Sequence, residues 1–365
     1  MTTYLAISTP IVKPVNGSCN LSCSYCYASG LRKQTRKNRM HPETLKATID
    51  FFCRDQGDIE FIWHGGEPLL AGIDFYRKAV GYQQTWEQKG KKIINSIQTN
   101  ATLISSEWTK FFAKHDFSVG VSLDGPKNFH DQVRHYSDKT GSYDNVMRGI
   151  KLLRQAGIFG GIICCISAIN YQFPKEVFSF FISQDIKKLK FARVKNIGHC
   201  NDISSLTVSP KQYIDFMIAI FNLWLYLDDP EVEIRDIQSV VGLIIGGNEC
   251  ECIYMGECDQ FVTVYQDGSI YGCNSFPKTN ALSFGNVIND SDLVRSSPCL
   301  KSFQETLRKR RTNCQTCNWD FICKGGCAKD CYAQLDSTKP IGEVCKNLKR
   351  YFGYISGKIR SYGLT

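Results

Sequence analysis

The sequence contains no run of about 18 uncharged apolar residues, the length that a membrane-spanning helix needs. The longest candidate, residues 213–227, is short and amphipathic and includes Asp215. The N-terminal residues also lack the basic region, apolar stretch and small-residue cleavage site of a secretion signal. We therefore expect a cytoplasmic protein with no membrane partner.

Signals of nucleic-acid binding are also scarce. The formal net charge is +9, and basic stretches occur at residues 31–39, 187–190 and 308–311. These stretches could attract nucleic acid or an acidic peptide, but a solvated surface is the simpler interpretation. No stretch interleaves basic and aromatic residues as a single-strand binder does, and no helix-turn-helix or zinc-finger spacing is present. We expect no nucleic-acid partner.

What is present is the composition of a globular protein, with 43% hydrophobic and 22% charged residues in a chain of 365. β-rich runs alternate with amphipathic segments of helix length, which predicts a parallel sheet. The alternation covers about 200 residues, fewer than the roughly 250 of a complete eight-stranded barrel. We predict an α/β fold with a partial (β/α)6 TIM-like barrel, whose functional residues lie at the carboxyl ends of the strands. The predicted strands are 11–15, 58–63, 92–97, 117–123, 161–169 and 190–195, and the predicted helices are 42–54, 75–88, 106–114, 143–155 and 174–184.

The character of the sequence changes after Val208. Residues 1–208 form the predicted barrel, residues 209–249 a helical connector, and residues 250–365 a cysteine-dense domain. Within this last domain, Asp267 and Gly268 lie between two β-rich runs, which predicts a hairpin because such a turn needs a positive φ.

The chain has 18 cysteines, and in a reducing compartment metal binding is the main reason to gather so many. The first group, Cys19, Cys23 and Cys26, follows the first predicted strand. An iron–sulfur cubane normally takes four cysteines, so three would leave one iron open to a ligand that is not protein. Zinc is the alternative, although catalytic zinc sites usually include His, and His41 and His64 lie in separate segments.

The CxxxCxxC spacing, followed after the next strand by Gly65, Gly66, Glu67 and Pro68, resembles the radical S-adenosylmethionine (SAM) superfamily. This resemblance implies a [4Fe-4S] cluster whose open iron chelates the amino and carboxylate groups of SAM. It also implies that the Gly65–Gly66–Glu67 segment contacts the amino group, which suits glycines and a carboxylate. By the same resemblance, the other SAM contacts are Tyr25 near the adenine, Ser122 at the ribose and Arg134 at the carboxylate.

A second group of eight cysteines lies in the C-terminal domain and resembles the SPASM extension of radical SAM peptide and protein maturases. The resemblance implies two auxiliary [4Fe-4S] clusters, for three clusters in all. One cluster would be held by Cys252, Cys258, Cys273 and Cys327, and the other by Cys314, Cys317, Cys323 and Cys345. A zinc ribbon is the alternative for the CxxCx5C part of the pattern.

Across nearly the whole chain the motifs resemble anaerobic sulfatase-maturating enzymes, which oxidise a Cys or Ser side chain to formylglycine. That family has an aspartate base directly after the third ligand of the first auxiliary cluster, where this chain has Asn274. An amide cannot accept and hold a proton at neutral pH, so the catalytic base is unknown. A family tyrosine near the first cluster is replaced by Ala28.

We therefore predict an oxidoreductase that abstracts a hydrogen atom from a side-chain carbon of a polypeptide. Without a base at Asn274, the favoured outcome is a crosslink in a ribosomal precursor peptide (RiPP maturation). The alternative is sulfatase maturation with another base, and the second alternative is a non-catalytic iron–sulfur or zinc scaffold. The expected partners are a precursor peptide or sulfatase and an external low-potential electron donor such as flavodoxin or ferredoxin.

Overall fold

A computed structural model describes residues 9–32, 39–55, 57–195, 203–276, 278–289, 291, 293–332 and 342–363. Most of the basic stretch at residues 31–39, and Cys200, lie outside the described residues. The strands are β1 Thr9–Val12, β2 Ile59–Trp63, β3 Ile93–Thr99, β4 Ser118–Ser122, β5 Phe159–Ile166, β6 Lys188–Arg193, β7 Glu233–Ile234, β8 Phe261–Val264, β9 Ser269–Gly272 and β10 Ser283–Asn286. The helices are α1 Ser29–Arg32, α2 Pro42–Cys53, α3 Ile73–Glu87, α4 Ser106–Lys114, α5 Lys127–Val133, α6 Tyr143–Gln155, α7 Pro174–Ser183, α8 Pro210–Leu227, α9 Arg235–Ile244, α10 Cys252–Met255, α11 Pro298–Thr312, α12 Asp320–Cys323, α13 Ala328–Tyr332 and α14 Gly342–Ser361.

The described strands form one open sheet in the order β10-β9-β8-β1-β2-β3-β4-β5-β6-β7. The six predicted strands are β1 to β6, and they are parallel neighbours in chain order with helices between them. The α/β fold with a parallel sheet is thus confirmed. None of the described helices combines the length and apolarity needed to cross a membrane.

The predicted hairpin is β8 and β9, but it does not stand apart from the barrel sheet. β8 pairs in parallel with β1, and Val264 lies beside Val12. β9 then pairs antiparallel with β8, and Cys273 follows it directly. The C-terminal cysteine region therefore begins next to the strand that precedes the first cysteine group.

Strand β5 ends earlier than predicted. The side-chain oxygen of Asn170 accepts a hydrogen bond of 2.8 Å from the Ser167 amide. This bond draws residues 167–170 into a turn, because an Asn side chain can replace a backbone acceptor. The turn places Cys165 near the carboxyl end of the strand.

The outer helices are held against the sheet by an aromatic core. Trp63 and Tyr76 are fully buried, with ring centroids 5.4 Å apart, and Tyr76 also meets the ring of Phe112 at 6.3 Å. These edge-to-face contacts join β2, α3 and α4. The carboxyl ends of the neighbouring strands are thereby fixed.

Gly149 and Gly81 both lie in helices, but Gly149 is closely packed and Gly81 has open space beside it. The two positions therefore provide a matched test of the packing. A Cβ on Gly149 in α6 would lie 2.3 Å from the carbonyl oxygen of Ala101, whereas a Cβ on Gly81 in α3 would meet no atom within 4 Å. We expect Gly149→Ala to lower the free energy of unfolding by about 1–3 kcal/mol through overpacking. Gly81→Ala should raise it by up to about 1 kcal/mol, because alanine favours helix. Urea denaturation measures both, and a stabilised Gly149→Ala variant would contradict the packing.

Candidate functional site

The loop after β2 packs directly on the loop that carries the first cysteine group. Gly65 and Gly66 both have positive φ, of 86° and 55°. A Cβ on Gly66 would lie 1.9 Å from the carbonyl oxygen of Ser18, and the amide of Glu67 donates to that same oxygen at 2.8 Å. Only glycine permits this approach. The two motifs identified from the sequence are therefore in contact.

The Glu67 carboxylate joins this loop to the loop after β3. One carboxylate oxygen accepts from the Thr99 hydroxyl at 2.7 Å, and the other from the Asn100 amide at 2.8 Å. The side chain is fully buried, and burial raises its pKa to about 7 although the hydrogen bonds oppose that rise. In this structure the partners of the Glu67 carboxylate are residues of the same chain. Its contact with the amino group of SAM stays a prediction.

The three thiols of the first group lie together at the carboxyl end of β1. Burial, together with the charges of Glu67, Cys23 and Cys26, raises the pKa of Cys19 to about 12. The Asn100 side chain donates to the Cys19 sulfur at 3.7 Å, and the Ser24 amide donates to the Val133 carbonyl at 2.8 Å. The loop is thus hydrogen-bonded to the loop after β3 and to the end of α5.

The donor chemistry of this group fits an iron–sulfur cluster. The thiols are half-buried and mutually close, and soft thiolates are the ligands of such clusters. Among the described residues, no three His, Cys, Asp or Glu side chains converge on a point where a single metal ion would sit. A four-iron cluster instead presents a separate iron to each thiolate. The assignment of Cys19, Cys23 and Cys26 as ligands stays a prediction.

Tyr25 and Arg134 lie together on Asp124, a residue that the sequence analysis did not single out. The Tyr25 hydroxyl and the Arg134 Nε both donate to the same oxygen of Asp124, the latter at 2.9 Å, and the other oxygen accepts from the Cys165 amide at 2.9 Å. The Arg134 guanidinium also lies 5.4 Å from the centre of the Tyr25 ring. The two residues that are predicted to contact SAM therefore belong to one buried hydrogen-bond network.

Ser122 lies at the end of β4 and accepts a hydrogen bond of 3.1 Å from the side chain of Gln98 in β3. A Cβ on Gly120 would lie 2.4 Å from the side-chain oxygen of Gln98. The glycine therefore leaves room for Gln98 to reach Ser122. A contact of Ser122 with the ribose stays a prediction.

Lys13 is a buried cation that the sequence analysis missed. The residue is 1% exposed, and its ammonium lies 5.3 Å from the ring centre of Tyr27 and 5.0 Å from that of Tyr265. Desolvation lowers its pKa to about 8, while the Cys273 and Cys26 thiols oppose that shift. Lys13 therefore lies between the first cysteine group and the start of the second.

Asn274 is held in the same region. Its side chain is hydrogen-bonded to the half-buried Tyr27, and its side-chain oxygen lies 3.6 Å from the sulfur of Cys273. The position that carries the family's base is thus occupied by a hydrogen-bonding amide that has no carboxylate oxygen to take a proton.

The eight C-terminal thiols fall into two electrostatic groups. Cys252 and Cys258 each interact with Cys273 and Cys327, and burial raises the pKa of both to about 12. The other group shares a cavity of about 160 Å³, which is lined by Cys314, Cys317, Cys323 and Cys345. A second cavity, of about 280 Å³, is lined by Cys252 and Cys327. Cys327 also lines the first cavity, so it borders both groups, and the two predicted ligand sets stay predictions.

Four of the other cysteines have different surroundings. Cys53 and Cys164 are buried in the apolar core, and Cys299 donates to the Asn280 carbonyl at 3.7 Å. Cys165 belongs to the Arg134 network, since the guanidinium donates to its sulfur at 3.7 Å. Each has a packing or hydrogen-bonding role.

Comparison with known proteins assigns this arrangement to a class. Residues 14–180 match the model of the Radical SAM superfamily. These residues are thus similar to a radical SAM domain.

The chain is similar to anaerobic sulfatase-maturating enzymes over nearly its whole length. It is 29% identical to a serine-type enzyme of Bacteroides thetaiotaomicron over 97% of this chain and 92% of that one. A cysteine-type enzyme of Clostridium novyi is also 29% identical, over 94% and 93%. Among solved structures, native anSMEcpe with bound AdoMet and Cp18Cys peptide superposes with a TM-score of 0.87 at 28% identity, covering 97% of this chain and 98% of that chain. SuiB of Streptococcus suis, 16% identical with a TM-score of 0.64, shares the fold.

The Asp124–Arg134 pair yields a stability prediction. Arg134→Met leaves a buried carboxylate without its cation, so the free energy of unfolding of the metal-free chain should fall by about 3 kcal/mol. The same substitution at the exposed Arg77, which pairs with Asp74 at the surface, should change it little. Urea denaturation of both variants measures the difference. Equal stability of the two variants would contradict a buried ion pair.

Lys13 yields a prediction of pH dependence. The pKa of Lys13 is lower in the folded chain, about 8, than its ordinary value of 10.5, so unfolding takes up a proton between these pH values. The cost of burying this ammonium is therefore full below pH 8 and disappears by about pH 10.5.

Lys13→Met should accordingly raise the free energy of unfolding of the metal-free chain at pH 7 by up to about 3 kcal/mol. The gain should shrink as the pH rises through the same window. Lys92→Met, at a surface position, serves as the control. Urea denaturation at pH 7 and pH 10 provides the measurement, and a gain that does not depend on pH would refute the assignment.

Proposed function

We propose that this chain is a radical SAM enzyme that oxidises a Cys or Ser side chain of a polypeptide substrate to formylglycine. The observation that carries the proposal is the direct packing of the Gly65–Gly66–Glu67 loop on the loop of the first cysteine group, beside two further groups of four thiols. The names of the relatives support this reaction, and one of the similar structures contains a Cys peptide.

In this proposal Cys19, Cys23 and Cys26 hold a [4Fe-4S] cluster, and the network of Tyr25, Asp124 and Arg134 borders the SAM site. When bound, the reduced cluster and SAM supply a 5′-deoxyadenosyl radical that removes one hydrogen atom from the substrate. The chain's residues position SAM: buried, hydrogen-bonded side chains hold their orientation before the ligand arrives. An external low-potential donor such as flavodoxin or ferredoxin supplies the electron.

The two C-terminal groups of thiols would hold two auxiliary [4Fe-4S] clusters, which would supply the acceptor for the second electron. For a Cys substrate, the Cβ–H hydrogen atom, one electron and the thiol proton are lost, which leaves a carbon–sulfur double bond. Water then replaces sulfur, which leaves as hydrogen sulfide, and the aldehyde of formylglycine remains. For a Ser substrate the same losses give the aldehyde directly.

A second candidate function is crosslinking of a precursor peptide. It is favoured by Asn274, because formylglycine formation needs a group that takes the substrate proton and an amide does not supply one. A crosslink retains every heavy atom and loses two hydrogens. The two candidates therefore differ in the product that they leave on a substrate.

The cluster assignment is tested by anaerobic reconstitution with iron and sulfide, iron counting and an assay for reductant-dependent 5′-deoxyadenosine. We expect about twelve irons, four per cluster, with SAM cleavage. Replacing Cys19, Cys23 and Cys26 together by Ala should lower the count to about eight and abolish cleavage. Cys299→Ser, outside the three groups, should change neither. Tightly bound zinc without cleavage would instead support the scaffold interpretation.

The reaction is tested on a peptide with one central Cys and on matched peptides with Ser or Ala at that position. Mass spectrometry should show that the Cys peptide loses sulfur and gains a hydrazide-reactive aldehyde, that the Ser peptide gains the same aldehyde, and that the Ala peptide is unchanged. Loss of two hydrogens with sulfur retained and no aldehyde would favour the crosslink and overturn formylglycine formation.

A further inference from the structure

Arg310 is the one inward-facing cation of the basic stretch at residues 308–311. It lies in the last turn of α11, whose buried face carries Leu300, Phe303 and then Arg310 at helical spacing. Arg310 is 6% exposed, whereas Arg308 is exposed. A position that would ordinarily hold an apolar residue is therefore occupied by a guanidinium.

This guanidinium is only partly satisfied by the chain. One terminal nitrogen donates to the carbonyl oxygen of Gly325. The buried Nε has no hydrogen-bond partner among the described residues, and none of their carboxylates pairs with Arg310. A buried charged donor that is left unpaired is costly, so the arrangement points to a partner outside the chain.

The guanidinium lines the cavity of about 160 Å³ that contains the thiols of Cys314, Cys317, Cys323 and Cys345. A Cβ on Gly326 would lie 3.6 Å from the Cys323 sulfur and 3.8 Å from an Arg310 terminal nitrogen. A Cβ on Gly325 would lie 3.6 Å from Nε. Both glycines have positive φ. The turn of residues 323–327, the CKGGC turn, therefore lies beside both the guanidinium and the Cys323 thiol.

The electrostatic effect of Arg310 reaches both C-terminal groups of thiols. Its charge favours the thiolate forms of Cys314 and Cys323 by opposing the rise in their pKa, and it does the same for Cys258 of the neighbouring group. Asp320 lines the same cavity and also has a buried oxygen without a partner among the described residues. It does not form an ion pair with Arg310, so the positive charge stays available to the cavity.

A role limited to holding the CKGGC turn explains less of this geometry. The bond from the terminal nitrogen to Gly325 would be enough for that role, and the unpaired Nε would then have no purpose. A four-iron cluster with four thiolates carries a net charge of about −2 when its core is about +2, and it becomes more negative on reduction. A fixed cation with a free N–H at its side favours the reduced form.

We propose that the Arg310 Nε donates a hydrogen bond to a sulfur atom of the cluster held by Cys314, Cys317, Cys323 and Cys345, and that its charge raises the reduction potential of this cluster. Hydrogen bonds to the sulfur atoms and local charge are two of the means by which a protein sets such a potential. The inference rests on the iron–sulfur clusters of the proposed function. It makes Arg310 a positioning residue that favours electron transfer to this cluster.

The test compares Arg310→Gln, Arg310→Lys and the control Arg308→Gln, which removes an exposed charge from the same helix. Each full-length chain is reconstituted, its iron is counted, and the clusters are titrated electrochemically with detection by electron paramagnetic resonance. In Arg310→Gln we expect about twelve irons and one cluster with an about tenfold lower equilibrium constant for reduction, a shift of about 59 mV to more negative potential. Arg310→Lys should shift less, because it keeps the charge, and Arg308→Gln should match the wild type.

A fully loaded Arg310→Gln chain with unchanged potentials would overturn the proposal. If the Gln variant loses four irons, the Lys variant decides: a negative shift supports the proposal, and an unchanged potential refutes it. Loss of four irons from both variants would show that Arg310 only holds the turn. A wild-type chain that binds fewer than about twelve irons would instead count against the proposed function, so the two failures are distinguishable.

Discussion

The buried Glu67 carboxylate is the interaction on which the site depends, because it joins the loops that follow three neighbouring strands. The backbone amide of Glu67 donates to the Ser18 carbonyl in the loop after β1. The Glu67 side chain accepts from Thr99 and Asn100 at the end of β3. Carboxyl ends of parallel strands lie at one edge of the sheet, and these bonds turn that proximity into a fixed arrangement. The first cysteine loop is thus hydrogen-bonded to the loops that follow β2 and β3.

The pairing of β8 with β1 connects this site to the C-terminal cysteines. Lys13 follows β1 and lies beside Tyr265, which follows β8, while Cys273 follows β9 in the same sheet. The barrel and the cysteine-rich region therefore share a hydrogen-bonded sheet. Groups of thiols that are far apart in sequence are held near each other by backbone pairing and do not depend on a flexible linker.

Local patterns in the sequence were enough to predict the six barrel strands and five of the helices between them, since periodicity and helix-start residues act over short distances. The short helix α5 was not predicted. The cysteine groups followed from their spacing and from family resemblance. The parallel pairing of β8 with β1 left no local signal, because such a pairing is decided by distant residues. Asp124 lies two residues after the predicted SAM contact Ser122, but nothing in the sequence shows its bonds to Tyr25 and Arg134. The burial of Arg310 could not be predicted, because a run of basic residues does not show which side chain faces the interior.

The parallel pairing of β1 and β8 also bears on how the molecule is made. Thr9 at the start of β1 pairs with Phe261, so one edge of β1 stays open until most of the chain has been synthesised. The strands β1 to β6 can assemble earlier, through contacts that are closer in sequence. During this interval the growing chain exposes an apolar strand edge, which is a site of mispairing between chains. The last strands to be synthesised therefore cover this edge of β1.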